Sequence, residues 1–334
     1  MHEDDLPEAD PRRKTMPAGH ALIALFVALV TAAFLNAQGM HKTALSQKPG
    51  ITRDIASAMA AGLAGVSGFI QTDEPRALFK AALGRGDDDH VSTRVAFAGT
   101  SKAAVSKPVA KPLFSPTHKL RLYLTGDSLI TDPGPVVLDR ISTNASIKPV
   151  ASTDMHAATG LVQPEVFNWF EYLPKQIASY KPDITVATFG ANDGLGFTGV
   201  AGAENFGSPA WLAEYRRRVS GVMDQLTAKS GRVVWLGLPI PREPGLAGRW
   251  QQMNLIQQTE AAKRPGRVEF VDLYDRFKDQ NGLYADYLPD GTGQDQQVRS
   301  SDGIHYEAAG AGIVATAIIE AIGKLVRFGV PVTK

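Results

Sequence analysis

Two hydrophobic periods alternate along the carboxyl-terminal two thirds of the chain, one typical of strands and one of helices. Residues 120–124 alternate apolar and polar side chains, and residues 183–189 form a nearly continuous apolar, β-branched run, which favours a central parallel strand covered on both faces. Further strands are predicted at residues 147–151, 233–238 and 268–273, and helices at 135–141, 167–180, 209–228, 250–263 and 307–326. This alternation predicts an α/β fold, a three-layer α/β/α sandwich with a mostly parallel five-stranded sheet.

The amino-terminal region carries a different pattern. Residues 21–35 are apolar throughout, and they follow the basic cluster Arg12-Arg13-Lys14. This pattern predicts a signal peptide or a signal anchor over residues 18–40. Leu35-Asn36-Ala37 does not provide an Ala-x-Ala cleavage site, so we favour an uncleaved anchor. The basic cluster is expected to keep residues 1–17 in the cytoplasm and to send the rest of the chain across the membrane.

Residues 41–118 separate the anchor from the α/β region, which we expect to begin at residue 119 and to run to residue 334. The segment is rich in Ala and Gly at first and ends in a Lys/Pro/Ser/Ala-rich linker, which predicts a helical stalk. Its Asp87-Asp88-Asp89-His90 run has no further spaced ligands, and we interpret it as a solvated loop rather than a metal site.

Composition and an incomplete motif argue against nucleic-acid binding, thiolate chemistry and dinucleotide binding. The formal net charge is +1 and aromatic residues are not interleaved with basic runs, so we expect no nucleic-acid partner. The absence of cysteine excludes disulfides and thiolate chemistry. Gly194, Gly196 and Gly199 match a dinucleotide fingerprint, but no helix is predicted to start among them, as phosphate binding would require. We therefore expect no cofactor and no metal.

Four polar segments follow predicted strands or precede the last helix, namely Gly126-Asp127-Ser128, Ala158-Thr159-Gly160, Gly190-Ala191-Asn192-Asp193 and Asp302-Gly303-Ile304-His305. Ligands of open α/β sheets bind at the carboxyl ends of the strands, where the first three segments lie. Ser128 supplies a hydroxyl, His305 a base and Asp302 a carboxylate to orient the base. The N–H groups of Ser128 and Gly160 and the amide of Asn192 are candidate donors to an oxyanion. Acyl transfer requires these parts.

Neighbouring residues have supporting or alternative roles. Asp127 is expected to fix the turn before Ser128, and Asp193 to bond backbone N–H groups near Gly190. Arg299 has two alternatives: it binds an anionic group of the substrate, or it pairs with the neighbours of Asp302. His156 is a rival base, but the sequence shows no evident carboxylate partner for it at a short spacing.

The four segments, in order and spacing, resemble the blocks of the SGNH (GDSL) hydrolase superfamily over residues 119–325. The anchor, the stalk, Trp169-Phe170-Glu171 and residues 283–289 resemble a bacterial cell-envelope subgroup without an assigned substrate. The resemblance implies an SGNH/flavodoxin-like fold for residues 119–334. It also implies that Ser128 is the nucleophile, His305 the base and Asp302 its orienter, with Gly160 and Asn192 completing the oxyanion hole.

The expected function is that of a periplasmic serine esterase, held at the inner membrane, that removes O-acyl groups, most simply acetyl groups, from a cell-envelope glycan. One alternative is an O-acetyltransferase that uses the same residues with a glycan acceptor and takes acetyl from a membrane acyl-donor partner. A second alternative is a non-catalytic glycan-binding protein. Fold alone does not distinguish among these.

Overall fold

The computed structural model describes residues 17–37, 40, 55, 56, 58–60, 62, 95, 97 and 109–329. The chain divides into two compact units, Met1–Val91 and Ser92–Lys334. Most of the predicted stalk lies outside the described residues, and so does the whole of the acidic run at residues 87–90. The second unit begins earlier than residue 119, where the sequence placed the start of the α/β domain.

The first unit contains helix α1, Ala18–Leu35, in the segment predicted to be an anchor. The large apolar side chains described for residues 22–30, including Leu22, Phe26 and Leu29, are exposed. Its stretch Gly19–Ala33 is apolar but shorter than a full membrane span. A helix without a polar face does not have the amphipathic pattern of a surface helix in a globular domain.

A parallel sheet organises the second unit. The described strands are β1 (Leu113–Phe114), β2 (Leu120–Gly126), β3 (Ile147–Pro149), β4 (Asp154–Met155), β5 (Ile184–Thr188), β6 (Arg232–Leu236), β7 (Val268–Val271), β8 (Tyr287–Pro289), β9 (Asp295–Gln297) and β10 (Arg327–Phe328). The main sheet has the order β3-β2-β5-β6-β7, and all its pairings are parallel. The order changes direction between β2 and β5, and such a switch point opens a crevice at the carboxyl ends of the strands.

The predicted fold class is confirmed, with one strand added. Two-residue β4 pairs with the end of β2, where Asp154 is opposite Thr125 and Met155 is opposite Gly126. A strand this short leaves no period in the sequence. It matters because it brings the chain that leads to Gly160 alongside the end of β2.

Helices cover both faces of the sheet. Beyond α1, those described are α2 (Pro133–Ile141), α3 (Trp169–Tyr180), α4 (Pro209–Leu226), α5 (Pro244–Ala262) and α6 (Ala308–Leu325). Helix α6 packs on α2 and against β6 and β7. In a second row, α4 packs on α3 and α5, and α4 contacts β6 while α5 contacts β7. Every residue of β5 and β6 is buried, as expected for strands covered on both sides.

Local signals explain where these helices begin and end. The Ser208 side chain accepts a hydrogen bond from the N–H of Trp211 and caps α4, as predicted. Lys181 ends α3 in a left-handed conformation directly before Pro182. Helix α5 begins six residues before the predicted Trp250, because Pro244 occupies its first turn and Glu243 caps it.

A strand pair joins the two ends of the second unit, and the last helix of this unit belongs to its core. Strand β1 pairs with β10, so residues before 119 are part of this unit. Within the described residues, α6 is the helix that is long and apolar enough to cross a membrane, but half of that stretch is buried. Its contacts with α2, β6 and β7 identify α6 as a core helix.

Candidate active site

The hydroxyl of Ser128 is presented by a sharp change of direction at the end of β2. Gly126 has φ +154°, and a Cβ at this position would lie 2.3 Å from the Thr188 carbonyl oxygen of β5. Glycine is therefore required for the close approach of the two strands. The chain then enters a single turn of 3-10 helix, Ser128–Ile130, capped by Asp127, whose Oδ1 accepts the Leu129 N–H at 3.0 Å.

Folding joins the first and last polar segments in one hydrogen-bonded chain. His305 Nε2 lies 2.8 Å from Ser128 Oγ, and His305 Nδ1 lies 2.6 Å from Asp302 Oδ2. Because an ionised carboxylate only accepts hydrogen bonds, Nδ1 carries the proton of a neutral His305. Nε2 is then the acceptor for the Ser128 hydroxyl. This is the geometry of a serine, base and orienting carboxylate.

Asp302 is held as a carboxylate by its surroundings. Its Oδ1 accepts hydrogen bonds from Ser300 Oγ at 2.7 Å, from the Ile304 N–H at 2.8 Å and from the His305 N–H at 3.0 Å. Partial burial acts to raise the pKa of Asp302, but the hydrogen bonds from His305, Ser300 and these two N–H groups outweigh it and hold the pKa well below its usual range. Asp302 is therefore held in its ionised form beside the imidazole.

Asp127 ties the nucleophile's turn to the segment after β5. Its second oxygen, Oδ2, accepts the Ala191 N–H at 3.1 Å. The side chain is fully buried, and burial raises the pKa of Asp127 to about 7 against the opposing effect of its backbone donors. Gly190, with φ +127°, precedes Ala191, and a Cβ there would lie 3.1 Å from Gln257 Nε2.

The second and third segments also meet. Asn192 Nδ2 donates one hydrogen bond to the Thr159 carbonyl oxygen at 2.9 Å, and an amide nitrogen carries a second proton. A Cβ at Gly160 would lie 2.1 Å from Asp193 Oδ1, so any other residue there would displace this carboxylate or the loop. Asp193 is buried, and burial raises its pKa to about 6 although the backbone N–H groups of Val162 and Leu161 oppose the rise.

Three proposed oxyanion donors are placed by these contacts. The backbone N–H groups of Ser128 and Gly160 donate to no acceptor within the described part of the chain. Native proteins rarely leave a buried backbone donor without a partner, and Gly160 is buried. Unpaired donors at the edge of a catalytic triad fit a role in binding a ligand oxygen.

Arg299 lies beneath the loop that carries Asp302 and His305. It is completely buried, and its Nη2 donates to the carbonyl oxygens of Ile304 at 2.6 Å and Gly303 at 3.3 Å. The rings of Phe277, Tyr284 and Tyr306 surround its guanidinium, each with its centroid less than 6 Å away. Complete burial separates Arg299 from substrate, so the structure favours the second of its two predicted roles, support of the Asp302 loop.

The prediction that His156 lacks a carboxylate partner is wrong. Its Nε2 lies 3.1 Å from Asp154 Oδ1, and its ring stacks on Phe167 with centroids 3.9 Å apart. The signal was present in the sequence, because Asp154 stands only two residues before His156. His156 thus contacts Asp154 and Phe167, whereas His305 is the imidazole that is hydrogen-bonded to Ser128.

Sequence reasoning also missed Arg218. This residue of α4 is buried, and its Nη1 donates to the carbonyl oxygens of Leu161 and Val162 in the loop after Gly160. No local pattern signals an arginine that reaches a loop 56 and 57 residues away. Among the described residues, no group of three or more His, Asp or Glu side chains is arranged to hold a metal ion.

Comparison with solved structures found similarity to several hydrolases. An alpha/beta hydrolase from the metagenome of Lake Arreo, Spain, is 15% identical (TM-score 0.45; 62% of this chain, 96% of that one). An acetyl xylan esterase variant from Geobacillus stearothermophilus is 16% identical (TM-score 0.45; 62% and 96%). A protein from Slackia heliotrinireducens provisionally assigned as an SGNH hydrolase is 16% identical (TM-score 0.41; 61% and 100%).

Comparison with curated proteins found no match. The sequence model of a family described as "Protein of unknown function (DUF459)" matches residues 121–321. The matched region runs from β2 into α6, and it contains all four polar segments. Because it spans more than half of the 334 residues, the chain belongs to the DUF459 family of proteins of unknown function.

Proposed function

We propose that the protein is a serine ester hydrolase of the SGNH type. The observation that carries the proposal is the hydrogen-bonded chain Ser128–His305–Asp302, with 2.8 Å and 2.6 Å between its polar atoms. A serine hydroxyl is a weak nucleophile until a neighbouring base removes its proton. These two contacts support His305 as the base and Asp302 as the carboxylate that orients it.

The chemistry follows from these positions. His305 Nε2 takes the proton of Ser128 as Oγ attacks the ester carbonyl carbon, and the imidazolium then gives that proton to the leaving alcohol. The product is an acyl group bound to Ser128 Oγ. Water attacks this second ester, His305 takes a proton from the water, and the same proton returns to Ser128 as the carboxylic acid leaves. Asp302 stays ionised throughout and stabilises the imidazolium.

The oxyanion of each tetrahedral intermediate is proposed to lie against three donors. These are the N–H groups of Ser128 and Gly160, which have no acceptor among the described residues, and the second amide proton of Asn192. Donors fixed in advance cost no reorganisation when the negative charge forms. Asp127 and Asp193 support this arrangement by holding the backbone beside it.

The proposed substrate is an O-acyl group, most simply acetyl, on a cell-envelope glycan. Support comes from the amino-terminal region, because α1 has the composition of a membrane segment and follows a basic cluster. Its 18 residues span about 27 Å at 1.5 Å per residue, close to the roughly 30 Å hydrocarbon core of a bilayer. In this proposal, residues 18–40 anchor a periplasmic enzyme to the inner membrane, where envelope polysaccharides are within reach.

An O-acetyltransferase is the second candidate, and the exposed apolar surface of α1 favours it. A membrane anchor places the acyl-enzyme beside membrane partners that donate acyl groups. A glycan hydroxyl then replaces water in the second step, with His305 as its base. The triad geometry does not distinguish the two reactions, because both need the same groups.

The test uses the full chain in detergent with isolated, O-acetylated envelope polysaccharide. Release of acetate that is absent for Ser128→Ala supports the hydrolase. Transfer of acetyl to an added, unacetylated glycan, without matching release of acetate, supports the transferase. Binding of the polysaccharide without either product, by wild type and Ser128→Ala alike, would instead identify a non-catalytic glycan-binding protein.

A further inference from the structure

Two buried side chains of opposite charge hold the loop that follows Gly160. Asp193 Oδ1 accepts the Val162 N–H at 2.9 Å. Arg218 Nη1 donates to the Val162 carbonyl oxygen at 3.1 Å and to the Leu161 carbonyl oxygen at 2.6 Å. The backbone of Val162 is thus held at its N–H by the carboxylate of Asp193 and at its carbonyl oxygen by the guanidinium of Arg218.

Both charged groups are buried at a cost. The exposed fraction is 4% for Arg218 and 1% for Asp193. Burial lowers the pKa of Arg218 and raises that of Asp193 to about 6. Arg218 Nε also donates to Glu214 Oε1 at 2.7 Å, and its guanidinium lies 4.4 Å from the ring centroid of Phe197. Buried ions often contribute little net stability, so a role in fixing the position of the loop is the better explanation for this arrangement.

The loop position matters because Gly160 lies two residues before Val162. The same Asp193 oxygen that accepts the Val162 N–H would lie 2.1 Å from a Cβ at Gly160. One carboxylate therefore packs against the proposed oxyanion donor and bonds the loop behind it. A displacement of about 1 Å in such a donor is enough to lower a rate by about 10²-fold.

We propose that Arg218 is a positioning residue for the oxyanion hole: by bonding the Leu161 and Val162 carbonyls against the pull of Asp193 on the Val162 N–H, it sets where the Gly160 N–H points. This inference rests on the proposed esterase function and extends it to a residue that lies outside the four polar segments. Arg218 does not contact substrate, and its effect passes through the backbone of residues 160–162.

Arg217 provides a matched control. It is the next residue of α4, and it donates to the same Glu214 carboxylate from Nε and Nη2 at 2.7 Å each. Its side chain is 43% exposed, and its hydrogen bonds in the described residues are with Glu214, not with the loop. Arg217→Met and Arg218→Met therefore remove the same group from the same carboxylate, but Arg218→Met alone releases the loop.

The experiment measures kcat and KM on a chromogenic acetyl ester, and the inhibition constant of a boronic acid. A boronate bonded to Ser128 Oγ places an anionic oxygen in the oxyanion hole and mimics the tetrahedral intermediate. For Arg218→Met we expect kcat to fall about 10²-fold and boronate affinity to weaken by a similar factor, with KM changed less than about twofold because ground-state binding is intact. Arg217→Met should retain all three values.

A second variant guards against loss of folding. Arg218→Lys keeps the charge, but one ammonium group cannot reproduce the forked contacts to Glu214 and two carbonyls, so its kcat should fall between the other two. Thermal unfolding identifies which variants are folded. The inference is contradicted if folded Arg218→Met or Arg218→Lys matches Arg217→Met, or if only KM changes. The proposed function itself fails in a different way, namely if the wild type has no esterase activity that depends on Ser128.

Discussion

His305 and Ser128 are 177 positions apart in the sequence, and their Nε2 and Oγ atoms lie 2.8 Å apart. The pairing depends on β2, which ends in the turn that carries Ser128, and on the loop that precedes α6. Arg299 holds that loop from below through the Ile304 carbonyl oxygen. The proposed chemistry therefore depends on how the two ends of the α/β unit meet.

Asn192→Ala should reduce kcat by about 10²–10³-fold and leave a measurable remainder. Loss of one oxyanion donor has this effect in comparable sites, while the N–H groups of Ser128 and Gly160 persist. The measurement is steady-state hydrolysis of an acetyl ester, with circular dichroism to verify the fold because Asn192 also bonds the Thr159 carbonyl oxygen. Unchanged kcat would remove Asn192 from the oxyanion hole.

His156→Gln should retain most activity, whereas His305→Gln should lose nearly all of it. The reason is geometric, because the His156 ring is hydrogen-bonded to Asp154, whereas the His305 ring is hydrogen-bonded to Ser128 through Nε2. Both substitutions keep a polar side chain, so the pair is matched. Comparable losses in the two variants would show that His156 also takes part in proton transfer.

Gly160→Ala should destabilise the protein by about 1–3 kcal/mol and abolish most activity. The added methyl group would lie 2.1 Å from Asp193 Oδ1, so the loop must move. Gly248→Ala is the control, since that helical glycine has no heavy atom within 4 Å of an added Cβ. Denaturant unfolding and ester hydrolysis of both variants give the measurement, and equal stability and activity would contradict the tight packing described for Gly160.

Asp127 should make stability depend on pH between about 4 and about 7. Burial raises its folded-state pKa to about 7, above the usual value of about 3.9, so the folded state binds this proton more tightly. The stabilising contribution is complete below the unfolded pKa and is lost as pH rises through the folded pKa. Asp127→Asn removes the titrating carboxyl and with it this pH-dependent contribution.

The difference in free energy of unfolding between wild type and Asp127→Asn should accordingly shift against the wild type as pH rises through this window. Denaturant titrations across the window provide the values. A constant difference would show that Asp127 titrates alike in the folded and unfolded states.

The sequence was sufficient for features that depend on local pattern. Apolar runs identified β5 and β6, and the Ser208-Pro209 pair marked the start of α4. The four polar segments were recognised because each follows a strand or precedes the last helix, where parallel topology gathers such residues at one edge. The contact between His305 and Ser128 is the direct result.

Features that depend on distant contacts could not be predicted. The two residues of β4 are a strand because β2 lies beside them, and Arg218 is functional in our proposal because α4 passes under the loop at residues 160–162. Neither the pairing of β4 with β2 nor the contact of Arg218 with this loop produces a hydrophobic period or a motif in the sequence. The early start of α5 at Pro244 is a different case. Glu243 and Pro244 form a cap that can be recognised in the sequence, but the helix was predicted from the apolar pattern, which begins later.

Activation of Ser128 by His305 is tested most directly by the rate at which a fluorophosphonate labels the protein, with the modified peptide identified by mass spectrometry. The account predicts an adduct on Ser128 in the wild type, labelling slowed by at least about 10²-fold in His305→Asn, in line with the contribution of a general base, and no adduct at that peptide in Ser128→Ala. Equal labelling rates of the wild type and His305→Asn, or an adduct formed on another serine, would contradict it.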